Sequence, residues 1–185
     1  FKSLDPWYRF YFHNGKTFDY RPSIEDTNNE IRKFDENDVK GYDKLLKTSK
    51  DIFEIGFEKL SDKPFISFWE MAKQLPSLIK LKSYLTVSQL VNSKLKNKYL
   101  RKAFSIHPLL VGGNPFTTTS IYALIHYLER KWGVYFCMGG TGKIVKELEN
   151  LMVRQGIDIK KQSDVERISI TNGKAENVVL TDGSK

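Results

Sequence analysis

The architecture of this chain is organised around residues 107–116, which read His107-Pro108-Leu109-Leu110-Val111-Gly112-Gly113-Asn114-Pro115-Phe116. The stretch holds two prolines and two glycines. Proline lacks an amide donor and glycine readily takes left-handed backbone angles, so both interrupt a helix. We therefore expect a loop of specific shape. Apolar residues recur at helical spacing over residues 87–104 and 120–132, which predicts amphipathic helices on both sides of the loop.

The N-terminal part begins with two aromatic runs, residues 7–12 and 16–20, on either side of Asn14-Gly15. Because this dipeptide favours positive φ, the pattern predicts a β-hairpin. Ser23 then suits the N-cap of a helix over residues 24–34.

A longer helix is expected next, with Asp35 as its N-cap and Asp38 three residues further on. Its apolar spacing continues for about six turns to Leu60, and Pro64 ends it. A short helix over residues 67–70 and helical spacing over residues 77–81 follow.

After the loop, Gly133 is expected to end the helix over residues 120–132, since glycine removes the steric cost of left-handed geometry there. A short strand over residues 134–137 and a Gly139-Gly140-Thr141-Gly142 turn then lead into a helix over residues 143–155. Further strands are predicted over residues 157–160, 165–171 and 175–181, with a hairpin turn at Asn172-Gly173 joining the last two.

Together these elements predict an α+β fold, in which an aromatic β-hairpin and a helical segment precede a strand–helix–strand portion. The change of pattern near Gly133 suggests two parts, residues 1–133 and residues 134–185. The chain begins with Phe1 rather than Met and ends on a strand followed by a turn, so we expect an internal piece of a larger protein.

The net charge of +8 admits three interpretations: nucleic acid, an anionic membrane surface or a solvated exterior. The basic residues are densest over residues 73–82 and 94–102, where apolar residues at helical spacing separate them. That pattern is more typical of a basic amphipathic surface than of a DNA-reading helix, and no nucleic acid partner is expected. No stretch reaches the roughly 18 apolar residues that a membrane span needs.

No metal site is predicted, because His13, His107 and His126 lie far apart in the sequence and Cys137 has no partner at zinc spacing. Cys137 is expected to be a small apolar packing residue. The acidic residues show no pattern that requires a buried acid and base.

The Gly139-Gly140-Thr141-Gly142 turn admits two interpretations. A helix N-terminus offers free N–H groups to a phosphate, but the spacing matches neither a dinucleotide fingerprint nor a P-loop, so a tight strand-to-helix turn is equally consistent.

Specific motifs resemble one family, the bacterial-type phytoene desaturases (phytoene dehydrogenases). The similar stretches are residues 107–116, Thr119-Ser120-Ile121-Tyr122-Ala123-Leu124-Ile125-His126, Leu128-Glu129-Arg130, Trp132-Gly133-Val134, Phe34, Asp38-Val39, Gly41-Tyr42, Lys63-Pro64-Phe65, Leu100-Arg101, Ala103-Phe104, Gly139-Gly140-Thr141-Gly142 and the strand around Val165. They occur in the family's order along nearly the whole chain.

The resemblance implies an amine-oxidase-like flavoprotein of carotenoid biosynthesis that dehydrogenates a long isoprenoid polyene, with FAD as hydride acceptor. Residues 1–133 would belong to the helical substrate domain and residues 134–185 to the FAD-binding domain. The family's two glycine-rich FAD segments would lie outside this piece, so alone it is expected to be inactive and to retain no FAD.

The same resemblance implies site residues. Arg101 is the candidate catalytic residue, although Asn97 and Lys98 stand where many relatives carry an acidic residue. The expected FAD neighbours are Gly139, Gly140, Gly142 and Val165, the last through its backbone near the adenine. The expected substrate neighbours are Gly112, Gly113, Phe116, Tyr122, Trp132, Tyr135 and Phe136, for which ordinary packing is the alternative.

A polyene dissolves in a bilayer, so the resemblance also implies a peripheral membrane protein, at the inner face of a cytoplasmic membrane, with residues 77–102 as the candidate surface. Related isomerases, saturases and ketolases, and a non-enzymatic prenyl-lipid-binding protein of the same fold, remain alternatives. The oligomeric state is left open.

Overall fold

The computed structural model describes residues 1–58, 81 and 83–184, which form two compact units, Phe1–Phe136 and Cys137–Lys185. Helices and two-stranded antiparallel sheets occur together, which confirms the predicted mixture of α and β structure. The helices are α1 (Ile24–Arg32), α2 (Asn37–Ile52), α3 (Val87–Asn92), α4 (Lys98–Phe104), α5 (Leu124–Trp132) and α6 (Thr141–Arg154). The strands are β1 (Lys2–Ser3), β2 (Tyr8–Tyr11), β3 (Thr17–Tyr20), β4 (Tyr135–Phe136), β5 (Val165–Thr171) and β6 (Lys174–Leu180).

The predicted aromatic hairpin is confirmed. Strands β2 and β3 pair antiparallel, with Tyr8 opposite Tyr20, and Gly15 takes the positive φ of 78° that the turn requires. Alternate side chains of a strand point to one face, and on this face Phe18 and Tyr20 are buried. They join Tyr42, Leu100 and Phe104 in the main apolar core of the first unit.

Helix α1 starts as predicted, because the Ser23 hydroxyl accepts the backbone N–H of Asp26 at 3.2 Å. The predicted capping role of Asp35 is confirmed by its side chain, which accepts the backbone N–H of Asn37, the first residue of α2, at 2.9 Å. The N-cap position itself lies one residue later, at Glu36, which makes no side-chain cap bond. The carboxylate of Asp38 is buried and accepts a hydrogen bond from the backbone of Lys96, a distant segment of the chain.

The predicted continuous helix over residues 87–104 is wrong, since a break separates α3 from α4. Asp38 accepts the backbone N–H groups of Lys96 at 2.7 Å and Asn97 at 2.8 Å, which therefore cannot bond within a helix. Asn97 then caps α4 by accepting the N–H of Tyr99. A Cβ at Gly41 would overlap the carbonyl oxygen of Lys94, so glycine allows α2 to approach this break closely.

Residues 107–116 have the irregular backbone that their sequence predicts. In addition, they contain a 3-10 turn over His107–Val111, which ends at Gly112 with a φ of 74°. Another 3-10 turn, Ser120–Ala123, precedes α5. Gly133 ends α5 at a φ of 79°, as predicted, and β4 then pairs antiparallel with β1.

In the second unit, α6 follows Gly140, and β5 and β6 form the predicted hairpin through Asn172 and Gly173, both at positive φ. The predicted strand over residues 157–160 is wrong, because that segment has no strand in the structure.

Several predictions concern residues 59–80 and 82, which lie outside the described part of the chain: the helix end at Leu60 and Pro64, the helix over residues 67–70, and most of the helix over residues 77–81. Before residue 59, α2 is followed by a π-helical turn, Phe53–Phe57. No helix among the described residues combines the length and apolar character that crossing a bilayer requires.

Candidate functional site

A cluster of buried polar side chains lies beneath the central loop. Glu129, on α5, is only 4% exposed. Its carboxylate accepts a hydrogen bond from the Tyr8 hydroxyl at 2.5 Å and another from Nε2 of His107 at 3.0 Å. Buried carboxylates need such partners, because removing a charge from water is costly. The loop's first residue, His107, is thereby tied to α5 and to strand β2.

A second histidine completes the cluster. The rings of His107 and His126 lie edge to face with centroids 4.0 Å apart, and Nε2 of His126 donates to the Phe104 carbonyl at 3.0 Å. Because a carbonyl oxygen can only accept, this bond places the His126 proton on Nε2. Within the described residues, no group of three or more His, Cys, Asp or Glu side chains could hold a metal ion.

The surroundings of the cluster oppose charge on His126 and on Tyr8. Burial, reinforced by the adjacent His107, holds the pKa of His126 well below its ordinary value of about 6.5. Burial, followed by the hydrogen bond to Glu129, raises the pKa of Tyr8 above its ordinary value. Both side chains are therefore neutral near pH 7.

The depressed pKa of His126 predicts a pH-dependent stability. Below about pH 6.5 the unfolded chain binds a proton at His126 that the folded chain excludes, so the free energy of unfolding should fall by up to about 1.4 kcal/mol per pH unit. His126→Gln should remove this part of the slope. Urea unfolding between pH 5 and pH 8 measures it, with His13→Gln as the exposed control. Equal slopes in the His126→Gln protein and the unmodified chain would contradict the prediction.

Arg130, next to Glu129 on α5, connects four elements of the first unit. Its guanidinium donates to the Tyr42 hydroxyl, the Thr27 hydroxyl and the carbonyl oxygens of Arg21 and Pro22, at 2.6–3.0 Å. It also lies 4.7 Å from the ring centroids of Trp7 and Tyr20. The side chain thus holds α5 against the hairpin, α1 and α2.

This cluster was not predicted from the sequence. No buried acid–base pair was expected, and His107 and His126 lie far apart in the sequence, whereas the structure brings both together with Glu129. One signal was present: His126 and Glu129 are three positions apart and so lie on the same face of α5, among residues expected to be buried.

The predicted substrate glycines lie in a well-anchored loop. The N–H of Gly113 donates to the Pro108 carbonyl at 2.8 Å, and the N–H of Val87 donates to the Thr118 carbonyl at 3.0 Å. A Cβ at Gly113 would lie 2.7 Å from the Thr118 hydroxyl, whereas one at Gly112 would meet nothing within 4 Å. Gly113 is thus required by close packing and Gly112 by its positive φ.

The predicted substrate aromatics are partly or largely exposed, and the structure distributes them over separate places. Phe116 lies at a surface cavity with Arg101. Trp132 packs against Phe53 and Phe57. Tyr135 and Phe136 are consecutive in β4, so their side chains point to opposite faces. Tyr122 lies in the 3-10 turn Ser120–Ala123.

Arg101, the predicted catalytic residue, is held in place by its own segment. Its Nε donates to the Leu95 carbonyl at 2.7 Å, and its side chain lines a cavity of about 440 Å³ between α3 and α4. The cluster around Glu129 consists of Tyr8, His107 and His126, so it does not include Arg101.

In the second unit, Gly139 and Gly140 have φ values of 91° and 85°. No side chain caps α6, because its N-cap is Gly140, and Cβ atoms at Gly140 and Gly142 would meet open space. The backbone N–H groups at the start of α6 can thus be approached by a ligand. Val165, the first residue of β5, is 57% exposed and pairs with Leu180.

No protein-family model matches the chain. It is 42% identical, over 97% of its length, to a lycopene-forming phytoene desaturase of Pseudescherichia vulneris, and 41% identical, over 98%, to that of Pantoea ananas. A neurosporene-forming phytoene desaturase of Cereibacter sphaeroides is 32% identical over 98% of the chain. The chain spans only 35–37% of the length of these relatives. These matches confirm what its motifs indicate: along almost its whole length, the chain is similar to bacterial phytoene desaturases.

Proposed function

We propose that this chain is part of an FAD-dependent carotenoid desaturase that dehydrogenates a long isoprenoid polyene. The observation that carries the proposal is the identity of 42% over 97% of the chain to a lycopene-forming phytoene desaturase. Other relatives are named neurosporene-forming phytoene desaturase and 4,4'-diapolycopen-4-al dehydrogenase, so the names span several carotenoid dehydrogenations. They favour oxidation over the isomerase, saturase, ketolase and carrier alternatives.

Each dehydrogenation removes a hydride and a proton from adjacent carbons of the substrate. FAD, when bound, supplies the hydride acceptor. We propose that the chain's own residues bind and orient the polyene and keep water away from it. The proposed substrate contacts are of two kinds. The first is the anchored loop with Gly112 and Gly113. The second is the set of exposed aromatic side chains, Phe116, Tyr122, Trp132, Tyr135 and Phe136.

The backbone at the start of α6 fits an FAD contact. Gly139 and Gly140 leave its N–H groups without a side-chain cap, and open space surrounds Gly140 and Gly142. Such N–H groups suit the electronegative oxygens of a flavin nucleotide. We therefore propose Gly139, Gly140 and Gly142 as FAD neighbours, with the backbone of Val165 as a further one.

Gly140→Val should lower the FAD content of the purified full-length protein several-fold. A β-branched residue at a φ of 85° is strained, and its side chain would occupy the open space above α6. The ratio of flavin to protein absorbance measures FAD content, and the melting temperature reports the fold. Gly156→Val is the matched control, since Gly156 also has a positive φ and open space around it but follows the C-terminal end of α6. If the Gly140→Val protein has the same FAD content as the unmodified protein, the start of α6 is not an FAD contact.

Product analysis tests the activity. The full-length protein is incubated with FAD and phytoene in phosphatidylcholine vesicles, and the carotenoids are separated chromatographically. We expect products with a longer conjugated chain, absorbing at longer wavelengths than phytoene. An isomer with the same number of double bonds, a more saturated product or an oxygenated one would instead support the corresponding alternative enzyme.

We further propose that the protein works peripherally at the inner face of the cytoplasmic membrane, where a polyene substrate dissolves. The described part of residues 77–102 supports this, because the exposed Lys96, Lys98 and Lys102 alternate there with buried apolar residues such as Leu95 and Leu100. Lysines of this kind attract anionic lipid headgroups.

A further inference from the structure

A surface cavity of about 440 Å³ lies between α3, α4 and the end of the central loop. Helix α4 contributes Lys98, Arg101 and Lys102, helix α3 contributes Ser88 and Asn92, and Phe116 stands on the rim. The hydrocarbon substrate of the dehydrogenation proposed above needs no such set of cations, and the inference below rests on the proposed membrane contact of Lys98 and Lys102, which it makes specific.

The cavity is strongly cationic. Arg101 and Lys102 follow Lys98 by three and four residues, so each lies beside Lys98 on the surface of α4 and repels it. The described residues that line the cavity include no acidic side chain. Across the described chain many other cations, such as Lys33 and Lys131, pair with a carboxylate, but none of these three does. Among the described residues the cluster therefore has no counter-ion.

The cations differ in how firmly they are held. The Nε of Arg101 is fixed by the Leu95 carbonyl, which leaves the two terminal nitrogens of the guanidinium for a ligand. Lys98 and Lys102 are exposed and can reach inward, and Nζ of Lys98 now lies 5.1 Å from the ring centroid of Tyr99. A fixed guanidinium beside flexible ammonium groups suits a phosphate, which takes a bidentate contact from arginine and point charges from lysine.

The side of the cavity formed by α3 adds uncharged hydrogen-bond donors. Ser88 and Asn92 lie one turn apart on α3, and the Asn92 amide donates one hydrogen bond to the Ser88 hydroxyl at 3.4 Å, which leaves its second N–H available. The backbone N–H of Ser88 donates to the Pro115 carbonyl at 3.0 Å, so the loop that carries Phe116 is fixed against this wall.

We propose that this cavity binds a phosphate group. Phe116 is 71% exposed at its mouth, and Leu109 and Leu110 of the same loop are 58% and 53% exposed. Apolar side chains beside a phosphate site suit a phosphate carried by a lipid headgroup, because they can enter the acyl boundary while the cations hold the headgroup. The site does not depend on the desaturase activity.

The test measures two ligands against the full-length protein: vesicles of phosphatidylglycerol and phosphatidylcholine, by co-sedimentation, and inorganic phosphate, by calorimetry against acetate at equal ionic strength. The variant is Lys98→Gln/Lys102→Gln. Two lysines near an anionic surface should account for an affinity change of about 30-fold. The control is Lys40→Gln/Lys44→Gln, which removes two exposed lysines at the same spacing from α2.

Loss of vesicle binding in the first variant but not in the control, with Phe116→Ser also weakening it, supports a lipid-borne phosphate. Saturable binding of inorganic phosphate over acetate, lost in the same variant and unaffected by Phe116→Ser, supports a free phosphate compound. The proposal is overturned if neither ligand binds, or if the control variant loses as much affinity as the cavity variant. All the replaced side chains are exposed, so unchanged circular dichroism is expected throughout.

Discussion

Replacing Glu129 by alanine should lower the free energy of unfolding by about 2–4 kcal/mol. The carboxylate is 4% exposed and accepts hydrogen bonds from Tyr8 and His107. Its removal leaves the buried His107 ring nitrogen and the half-buried Tyr8 hydroxyl without this partner, and the buried group loses its hydration without compensation. Because His107 begins the central loop, we also expect faster proteolysis within residues 107–116.

Urea unfolding followed by circular dichroism measures this loss. Tyr8→Phe removes one of the two bonds and leaves the Glu129–His107 contact, so it should cost only about 1 kcal/mol. Glu25→Ala is the matched surface control: its side chain is 72% exposed and pairs with Arg32 at 3.4 Å, so no measurable change is expected. A Glu129→Ala protein as stable as the Glu25→Ala protein would show that the buried cluster does not support the fold.

Arg130→Met should have an effect of similar size, about 3–4 kcal/mol. Methionine keeps much of the apolar stem but removes the donor to the Tyr42 hydroxyl and to the Pro22 carbonyl oxygen. The Arg21 carbonyl oxygen keeps one donor, the Thr27 hydroxyl. It also removes the cation from between the rings of Trp7 and Tyr20. The junction of α5 with the hairpin should therefore loosen.

Arg130→Lys distinguishes geometry from charge. A lysine ammonium is a point charge that cannot reproduce the guanidinium's fixed fork, so this variant should recover less than half of the lost stability. Arg32→Met is the control, because Arg32 is exposed and contacts only Asn29 and Glu25 in the described part of the chain. If Arg130→Lys is as stable as the unmodified chain, the fork geometry is unimportant and the charge alone suffices.

Residues with a local structural effect were predictable from the sequence, and residues whose role depends on distant partners were not. Gly112 and Gly133 were predicted to interrupt or end a helix and Gly140 to lie in a turn before one, and all three have positive φ in the structure. Their effect is local, since left-handed backbone disfavours any side chain whatever surrounds it. The partners of Glu129 and Arg130 were not predicted, because a carboxylate or guanidinium has no preference for a partner at any sequence distance.

The sequence by itself determined the hairpin at Asn14-Gly15, the end of α5 at Gly133 and the hairpin at Asn172-Gly173. In each case the signal and the structure lie within a few residues of one another. Only the tertiary structure decided that the helical pattern over residues 87–104 would break, because the Asp38 carboxylate that takes up its N–H groups lies 58 and 59 residues away. Likewise, Tyr8 and Glu129 are 121 residues apart and meet only because packing of the aromatic core brings β2 against α5. Such hydrogen bonds form because a buried polar group has lost its contact with water. Its partner is then whichever polar group the fold brings next to it.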